Sequence, residues 1–288
     1  MGTKFLELPE AAALIHHGDT VAISGSMEMS PMALLRELIR SGASGLHLLC
    51  SGSAAINADL LIGAGCVETV EASQIILGEF GFAPHYRRAV EEGRLQVREH
   101  ACPAMAAAIQ AGAMGLPFIP VPGLLGTDYL QVRDDFRLIR NPYRPEEEVV
   151  VVPAIRPDVC IFHAYQADTQ GNVVASRLQN NRLLAQASRH VIVTVEEVVA
   201  PGELDREKGT FIPALYIHTV VEAPFGAYPT SCPGFYLADG AHMQTYLKAA
   251  GHPNEFEKYL QQYVFSYTRH EDYSVYCSRK ESQHEILD

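Results

Sequence analysis

The chain has no long run of lysine or arginine, and its 22 basic residues are outnumbered by 34 acidic ones, for a formal net charge of −12. That balance argues against a nucleic-acid surface, while leaving room for a local basic patch on a phosphate-bearing ligand. No apolar run approaches the ~18 residues that span a bilayer. No basic stretch followed by an apolar core opens the sequence, as a secretory signal would. The expectation is a cytoplasmic protein with no membrane and no nucleic-acid partner. Cysteine is scattered: Cys50, Cys66, Cys102, Cys160, Cys232 and Cys277 form neither a CxxC pair nor a zinc-like cluster. Reduced, mostly buried thiols follow from that pattern. His16-His17-Gly18-Asp19, and His163 with Asp168, are too sparse to hold a metal, so none is expected.

Familiar catalytic signatures are missing too. A dinucleotide fold wants G-x-G-x-x-G after the first strand, with an acidic residue ending the second. Here the turn reads Gly25-Ser26-Met27-Glu28-Met29-Ser30, which would aim Glu28 at a pyrophosphate, and the second strand ends in Ser51. There is no Walker A pattern. Ser51-Gly52-Ser53-Ala54-Ala55 lacks the flanking glycines of a nucleophile elbow. No residue of the chain reads as a nucleophile.

What is present is a repeated strand–turn–helix rhythm. Val21-Ala22-Ile23 is an apolar strand, Ser24-Gly25-Ser26 a small-residue turn, and Ser30-Pro31 a helix start with Ser30 as N-cap. Met32, Leu35, Leu38 and Ile39 recur at helical spacing up to a stop at Ser41-Gly42. Strands follow at Leu46–Cys50, Val67–Ala72, Gln74–Leu77, Leu95–Arg98, Leu116–Val121, Val149–Val152, Val159–His163, Val191–Val199 and Leu215–Val221. Helices are expected over residues 4–17, 54–63, 84–92, 101–114, 180–188, 239–250 and 253–266. This alternation implies an α/β fold: an open, mostly parallel, doubly wound sheet with helices on both faces. Residues 122–148, rich in proline, glycine and charge, read as a long irregular excursion. With no repeat and no clean boundary, residues 1–288 read as a single domain with that excursion and a C-terminal helical segment at 239–267. Such sheets bind ligands beyond the carboxyl ends of their strands, which makes Ser24–Met29 a candidate wall of the site. Plain connection is the alternative role for each such turn.

Several segments in order resemble the alpha subunit of the family I coenzyme A transferases, of the glutaconate CoA-transferase type. They are GDTVAISGSMEMSPMALLREL (18–38), GLPFIPVPGLLGTDYL (115–130), HAYQADTQGNV (163–173), VTVEEVV (193–199) and ALYIHTVVEAPFGAYP (214–229). The likeness runs from Gly18 to Pro229 and implies a CoA-transferase-like fold built from two similar subunits or halves. It further implies that the acyl-CoA carbonyl is attacked by a glutamate of the beta subunit, in a Ser-Glu-Asn-Gly type motif that this chain does not have. This chain then supplies half a site and needs a beta partner, as αβ or α2β2. Coenzyme A is a co-substrate, and no cofactor is bound permanently.

In that frame Ser24, Gly25, Ser26 and Met27 face the partner's glutamate, with backbone N–H groups near the developing oxyanion. Ser51, Gly52 and Ser53 end the next strand, Gly78, Glu79, Phe80 and Gly81 the one after, and the three turns should converge on one cleft. Gly126, Thr127 and Asp128 add a hydroxyl and a carboxylate from the excursion. The Asp168-x-x-Gly171-Asn172 turn reads as structural, its side chains bonding their own backbone. Glu79, Glu99 and the pair Glu196-Glu197 are the acids to watch, and burial would raise the pKa of any of them. Some relatives of this family are hydrolases, in which an acid of the alpha chain follows the strand before the alanine-rich helix. Here that region reads Arg98-Glu99-His100-Ala101-Cys102-Pro103, with Cys102 in the acid's place. The expectation is therefore one subunit of a CoA-transferase. The alternative is a thioester or ring-cleaving hydrolase using Glu79 or Glu99 as base, and a non-catalytic acyl-CoA-binding module is the third.

Overall fold

The computed structural model describes residues 2–284. The first half runs β1 (Lys4–Phe5), α1 (Leu8–Ala12), β2 (Thr20–Ile23), α2 (Met32–Arg40), β3 (Leu46–Cys50), β4 (Ser53–Ala54), α3 (Ile56–Gly63), β5 (Val67–Ala72), β6 (Gln74–Ile75), α4 (Pro84–Glu91), β7 (Gln96–Glu99) and α5 (Cys102–Ala113). The middle holds β8 (Phe118–Pro120), α6 (Tyr129–Val132), β9 (Arg137–Asn141), β10 (Arg144–Pro153), β11 (Val159–Asp168), β12 (Val173–Ala175) and α7 (Asn181–Ala187). Then come β13 (His190–Val199), β14 (Thr210–Ile212), β15 (Thr219–Glu222), α8 (Gly240–Ala250), α9 (Pro253–Leu260) and α10 (His270–His284).

The main sheet has the order β1-β15-β13-β11-β2-β3-β5-β7, with β12 and β14 added beyond β11. Every neighbouring pair along that path is parallel. Alternate residues of one strand face opposite helical layers, as the period of two demands. Val21 and Ile23 join the core shared with α2 and α3, while Ala22 joins the core shared with α5 and α7. Helices therefore cover both faces, which is why β11 and β13 are apolar almost throughout. The chain winds outward from β2 to β7, then returns to β11 on the other side of β2. That reversal is the topological switch point, where an open sheet splays its strand ends.

Several local expectations are corrected. Residues 4–17 are not one helix: Lys4–Phe5 pairs with β15 as an edge strand, and only Leu8–Ala12 is helical. Pro31, not Ser30, is the N-cap of α2. Ser30 instead donates its hydroxyl to Ser26 O at 2.7 Å, closing the turn rather than capping the helix. The 116–121 and 149–152 runs lie outside the main sheet, where β8, β10 and β9 form a separate antiparallel sheet. The excursion thus carries its own hairpin and a short helix, on a small core of Val121, Leu124, Phe136, Val150 and Val152. The tail after residue 266 continues as α10.

One buried acid fixes how the helices stack. Asp59 on α3 accepts from Tyr246 Oη of α8 at 2.6 Å and from Tyr86 N of α4 at 2.7 Å. Burial lifts its carboxyl from 3.8 to about 6, against the lowering effect of the Tyr246 hydrogen bond. A raised folded-state pKa gives stability that is complete below the unfolded value and is lost as pH rises through the folded one. Between pH 4 and pH 7 the native chain should lose about 2 kcal/mol through this group. Asp59→Asn, which cannot ionise, should flatten that part of the curve, and urea unfolding of both proteins at pH 4, 5, 6 and 7 is the measurement.

Candidate active site

The site grows from the end of β2. β11 pairs with β2 only over Val159–Ile161 and continues beside β13 to Asp168, so a crevice opens above Ile23. The backbone leaves β2 at Ser24, whose N–H reaches Ile161 O at 3.3 Å, and turns at Gly25 with φ +93°. A Cβ at Gly25 would sit 2.5 Å from Met29 O, so the close fold-back of this turn admits only glycine. Gly25 O accepts from Asn57 Nδ2 at 2.8 Å, and the Asn57 side-chain oxygen accepts the N–H groups of Ala55 and Ala58. Asn57 thereby ties the turn after β2 to the start of α3. Gln179, from the loop after β12, donates to Glu28 O at 3.1 Å and lies 3.4 Å from Ser24 Oγ.

The turns after the first three long strands do come together. Ser51 N–H donates to Ile23 O at 2.9 Å. Ser53-Ala54 and Gln74-Ile75 pair as β4 and β6, joining the turn after β3 to that after β5. Ser73 Oγ donates to Gly52 O at 3.3 Å, and Cys102 Sγ lies 3.1 Å from Ser73 Oγ. At Gly78 an added Cβ would lie 3.1 Å from Met27 Cγ, so the third turn rests against the first. Phe80 in turn abuts Gly240 at the start of α8. Of the first turn's donors, Ser24 and Ser26 N–H are engaged by Ile161 O and Glu28 O. The N–H groups of Gly25 and Met27 carry no protein acceptor among the described residues. Of the four residues expected to offer backbone donors, Gly25 and Met27 are the two whose N–H groups are not engaged within the chain among the described residues.

Gly126, Thr127 and Asp128 stand apart. They are exposed, Thr127 donates to Leu124 O, and Asp128 accepts from Gln131 Nε2. No hydrogen bond joins them to the three turns among the described residues. Glu79 and Glu99 are exposed as well. The nearby charge is committed elsewhere: Glu71 on β5 receives His100 Nε2 at 2.8 Å, Arg133 Nη2 at 3.0 Å and His47 Nε2 at 3.3 Å. Burial alone would raise the Glu71 carboxyl, but those hydrogen bonds and charges hold it far below its usual range.

Glu196 does not lie at the end of β13. It is buried inside β13, and its two oxygens take hydrogen bonds from Tyr236 Oη at 2.5 Å, His163 Nε2 at 2.7 Å, Phe225 N at 2.8 Å and Gly226 N at 3.2 Å. A carboxylate only accepts, so His163 carries its proton on Nε2 and meets Thr194 Oγ1 through Nδ1 at 2.8 Å. Burial would lift Glu196, yet the His163 hydrogen bond and charge and the Tyr236 hydroxyl lower it below the ordinary value. Liganding atoms of His163, Glu196 and Cys232 lie within 4.8 Å of one another. The carboxylate and the imidazole of that set are already engaged by protein groups, so its chemistry is that of a structural hub. Glu197 accepts from Gln166 Nε2 at 2.6 Å across the sheet. Asp168 closes its own turn, accepting from Gln170 N, Asn172 N and Asn172 Nδ2, as the sequence implies.

What the hub holds is the back of the first turn. Residues 225–231 run from Glu196 to that turn: Gly226 O accepts from Ala33 N, Ser231 N donates to Met27 O, and Met29 N donates to Ser231 O. Thr230 Oγ1 accepts from Ser30 N. Asn57, Gln179, Thr230 and Ser231 therefore position the turn, and sequence reading did not single them out. Only Asn57, a polar residue in the first turn of a helix, carried a local signal. Glu196→Ala would leave four donors unpaired, three of them buried, and should lower the unfolding free energy by about 3–5 kcal/mol. Denaturant unfolding checks this, with Glu197→Ala expected to cost clearly less.

A family model described as coenzyme A transferase matches residues 5–223. The chain is 31% identical to the A-type subunit of glutaconate CoA-transferase from Acidaminococcus fermentans, over 94% of this chain and 91% of that one. It is 33% identical to the A-type subunit of 3-oxoadipate CoA-transferase from Pseudomonas knackmussii, covering 91% and 93%. The crystal structure of glutaconate coenzyme A-transferase from Acidaminococcus fermentans superposes with a TM-score of 0.88, at 30% identity over 94% of this chain and 92% of that one. A variant of the decarboxylase AibA/AibB gives 0.79, at 34% identity over 91% and 100%. On the family match and these identities, the chain belongs to the coenzyme A transferase family.

Proposed function

We propose that this chain is the alpha subunit of a heteromeric CoA-transferase, which moves coenzyme A between an acyl-CoA thioester and a carboxylic acid. The observation that carries the reading is a cleft built from three converging turns, with two backbone N–H groups that have no protein acceptor among the described residues, in a sequence without the Ser-Glu-Asn-Gly type motif. The related CoA-transferase chains are themselves single subunits of larger enzymes. Exposed apolar side chains stand beside the cleft: Phe82 after the third turn, Leu178 next to Gln179, and Leu237 near Gly240, at 71%, 84% and 84% exposure. Apolar groups so placed fit a surface that a beta subunit covers.

In this mechanism the thioester carbonyl is attacked by a carboxylate oxygen of the beta subunit. The C–S bond breaks, the electron pair leaves on the CoA thiolate, and a mixed anhydride remains. The thiolate then attacks the enzyme's acyl carbon, releasing the first acid and forming a glutamyl thioester. The second acid reverses these steps. Each tetrahedral intermediate places negative charge on oxygen, and the N–H groups of Gly25 and Met27 are the donors offered to it. Ser24, Ser26, Ser51, Gly52, Ser53, Gly78 and Phe80 form the walls, and Gly126, Thr127 and Asp128 belong to the excursion beside the strand ends. Coenzyme A comes and goes as substrate. Among the described residues no helix is long and apolar enough to cross a membrane.

The purified chain alone should show no CoA transfer, and a mixture with its beta subunit should show it. Full activity in the isolated chain would overturn the half-site. Without an acceptor acid, the pair should release little free CoA. Acceptor-independent release that disappears in Glu79→Gln or Glu99→Gln would favour the hydrolase reading instead. Gly25→Ala must push Met29 O away from the new Cβ and misplace the donors beside it, a kind of displacement that costs about 10²-fold in rate. Its kcat should fall by that order while the variant still co-elutes with its partner.

A further inference from the structure

Three cations stand together beside the crevice without an acid to pair with. Arg177 lies in the 176–180 loop after β12, and Arg206 and Lys208 in the 200–209 turn after β13, all three exposed. The two loops are joined directly: Arg177 Nη2 donates to Glu207 O at 2.7 Å and lies 3.4 Å from Arg206 O. Both partners are neutral carbonyls, so the guanidinium keeps its charge. The Arg206 guanidinium lies 3.9 Å from the centre of the Phe211 ring, and Lys208 Nζ lies 5.0 Å from that of Phe235. An aromatic face supports a cation without neutralising it. None of the three forms an ion pair with a carboxylate among the described residues. Of the acids in the turn, Glu203 accepts from Ala200 N and Asp205 from Glu207 N, so Glu207 is left to oppose three cations. In a chain of net charge −12 this local excess of positive charge runs against the whole.

The same loop ties the patch to the first turn. Two residues after Arg177, Gln179 donates to Glu28 O at 3.1 Å. One residue before it, Ser176 Oγ lies 3.4 Å from Glu28 Oε1. Phe235, the ring below Lys208, stacks on Tyr165 of β11, the strand that walls the crevice. We propose that Arg177, Arg206 and Lys208 hold the phosphate end of coenzyme A, while its pantetheine arm crosses the 176–179 loop to the donors of the first turn. The inference rests on the CoA-transferase reading and adds where on this chain the nucleotide is held. Phosphate oxygens suit what the patch offers, since guanidinium forks bind them two at a time and an ammonium adds a point charge. An acidic protein repels a polyanion, and a local cationic field is what draws one to the right edge of the cleft.

The purified pair of this chain with its beta subunit is compared with the same pair carrying Arg206→Gln and Lys208→Gln, which keep the side-chain stems and remove two charges. The probes are CoA, pantetheine and inorganic phosphate, titrated by calorimetry. CoA should bind about tenfold more weakly to the double variant, while pantetheine changes by less than about twofold. Added salt should weaken CoA binding more steeply in the wild type than in the variant. Exchanging the charges instead, with Arg206→Lys and Lys208→Arg, should retain CoA affinity. An equal loss for CoA and pantetheine, or no loss for either, would overturn the patch and leave CoA transfer standing. Inorganic phosphate bound there as tightly as CoA would make it a general anion site and overturn the assignment to CoA. A double variant that no longer co-elutes with the beta subunit would overturn it too, because the cations would then hold the subunit. Weakened CoA binding in the variant of a pair that transfers no CoA would uphold the patch and overturn the transferase reading.

Discussion

Everything at the candidate site depends on keeping an irregular stretch of buried backbone satisfied. Ser24, Gly25, Met29 and Ser30 are buried, yet they belong to neither helix nor strand. Peptide groups in that position need partners as surely as those in a sheet, and of these four N–H groups only that of Gly25 has no acceptor among the described residues. Here the partners come from elsewhere in sequence: Ile161 and Asn57 on one side, Thr230 and Ser231 on the other. The 225–231 segment has the same difficulty one layer further back. It is solved by a charge, because the Glu196 carboxylate takes the N–H groups of both Phe225 and Gly226. An ionised acceptor makes stronger hydrogen bonds than a neutral one. The first turn is thus as rigid as the anchorage of Glu196 within β13.

That dependence explains what the sequence could reveal and what it could not. The Val21–Met32 stretch was legible because its punctuation is local: an apolar strand, small residues and a proline at the helix start. The parallel sheet was legible because β11 and β13 are apolar on both faces, which only helices on both sides explain. Membership in the sheet was a different matter. Val149–Val152 is as apolar and β-branched as Val191–Val195, yet it pairs antiparallel with Phe118–Pro120 and Arg137–Asn141 in a separate layer. Periodicity reports burial, and it does not report the neighbour.

Glu196 shows the same limit in a polar residue. In sequence it follows Val191–Val195, four apolar residues and a threonine, and stands beside a second acid, Glu197. Its donors come from β11 and from residues 225, 226 and 236, which are remote in sequence, so nothing nearby announces that it is buried. The α10 helix escaped notice because its buried side chains include Tyr273 and Cys277 rather than an aliphatic stripe. By contrast, Asp168 and Asn172 bond within their own turn, and that arrangement was readable.

The excursion is attached by charge as much as by hydrocarbon. Arg133, at the end of α6, donates to Glu99 O and to Glu71, and also bonds Asp135. Arg98 on β7 reaches Asp135 at 2.5 Å from the other side. β7 is the exposed, polar edge of the parallel sheet, where an unprotected strand would invite another chain. An arginine engaged by a β7 carbonyl and by acids of the sheet and the excursion both blunts that edge and fixes the excursion beside the strand ends. Since Arg98 and Arg133 are neutralised in doing so, they serve the sheet edge. The cleft next to them keeps the properties of its turns: small residues, two N–H groups with no protein acceptor among the described residues, and exposed apolar side chains close by.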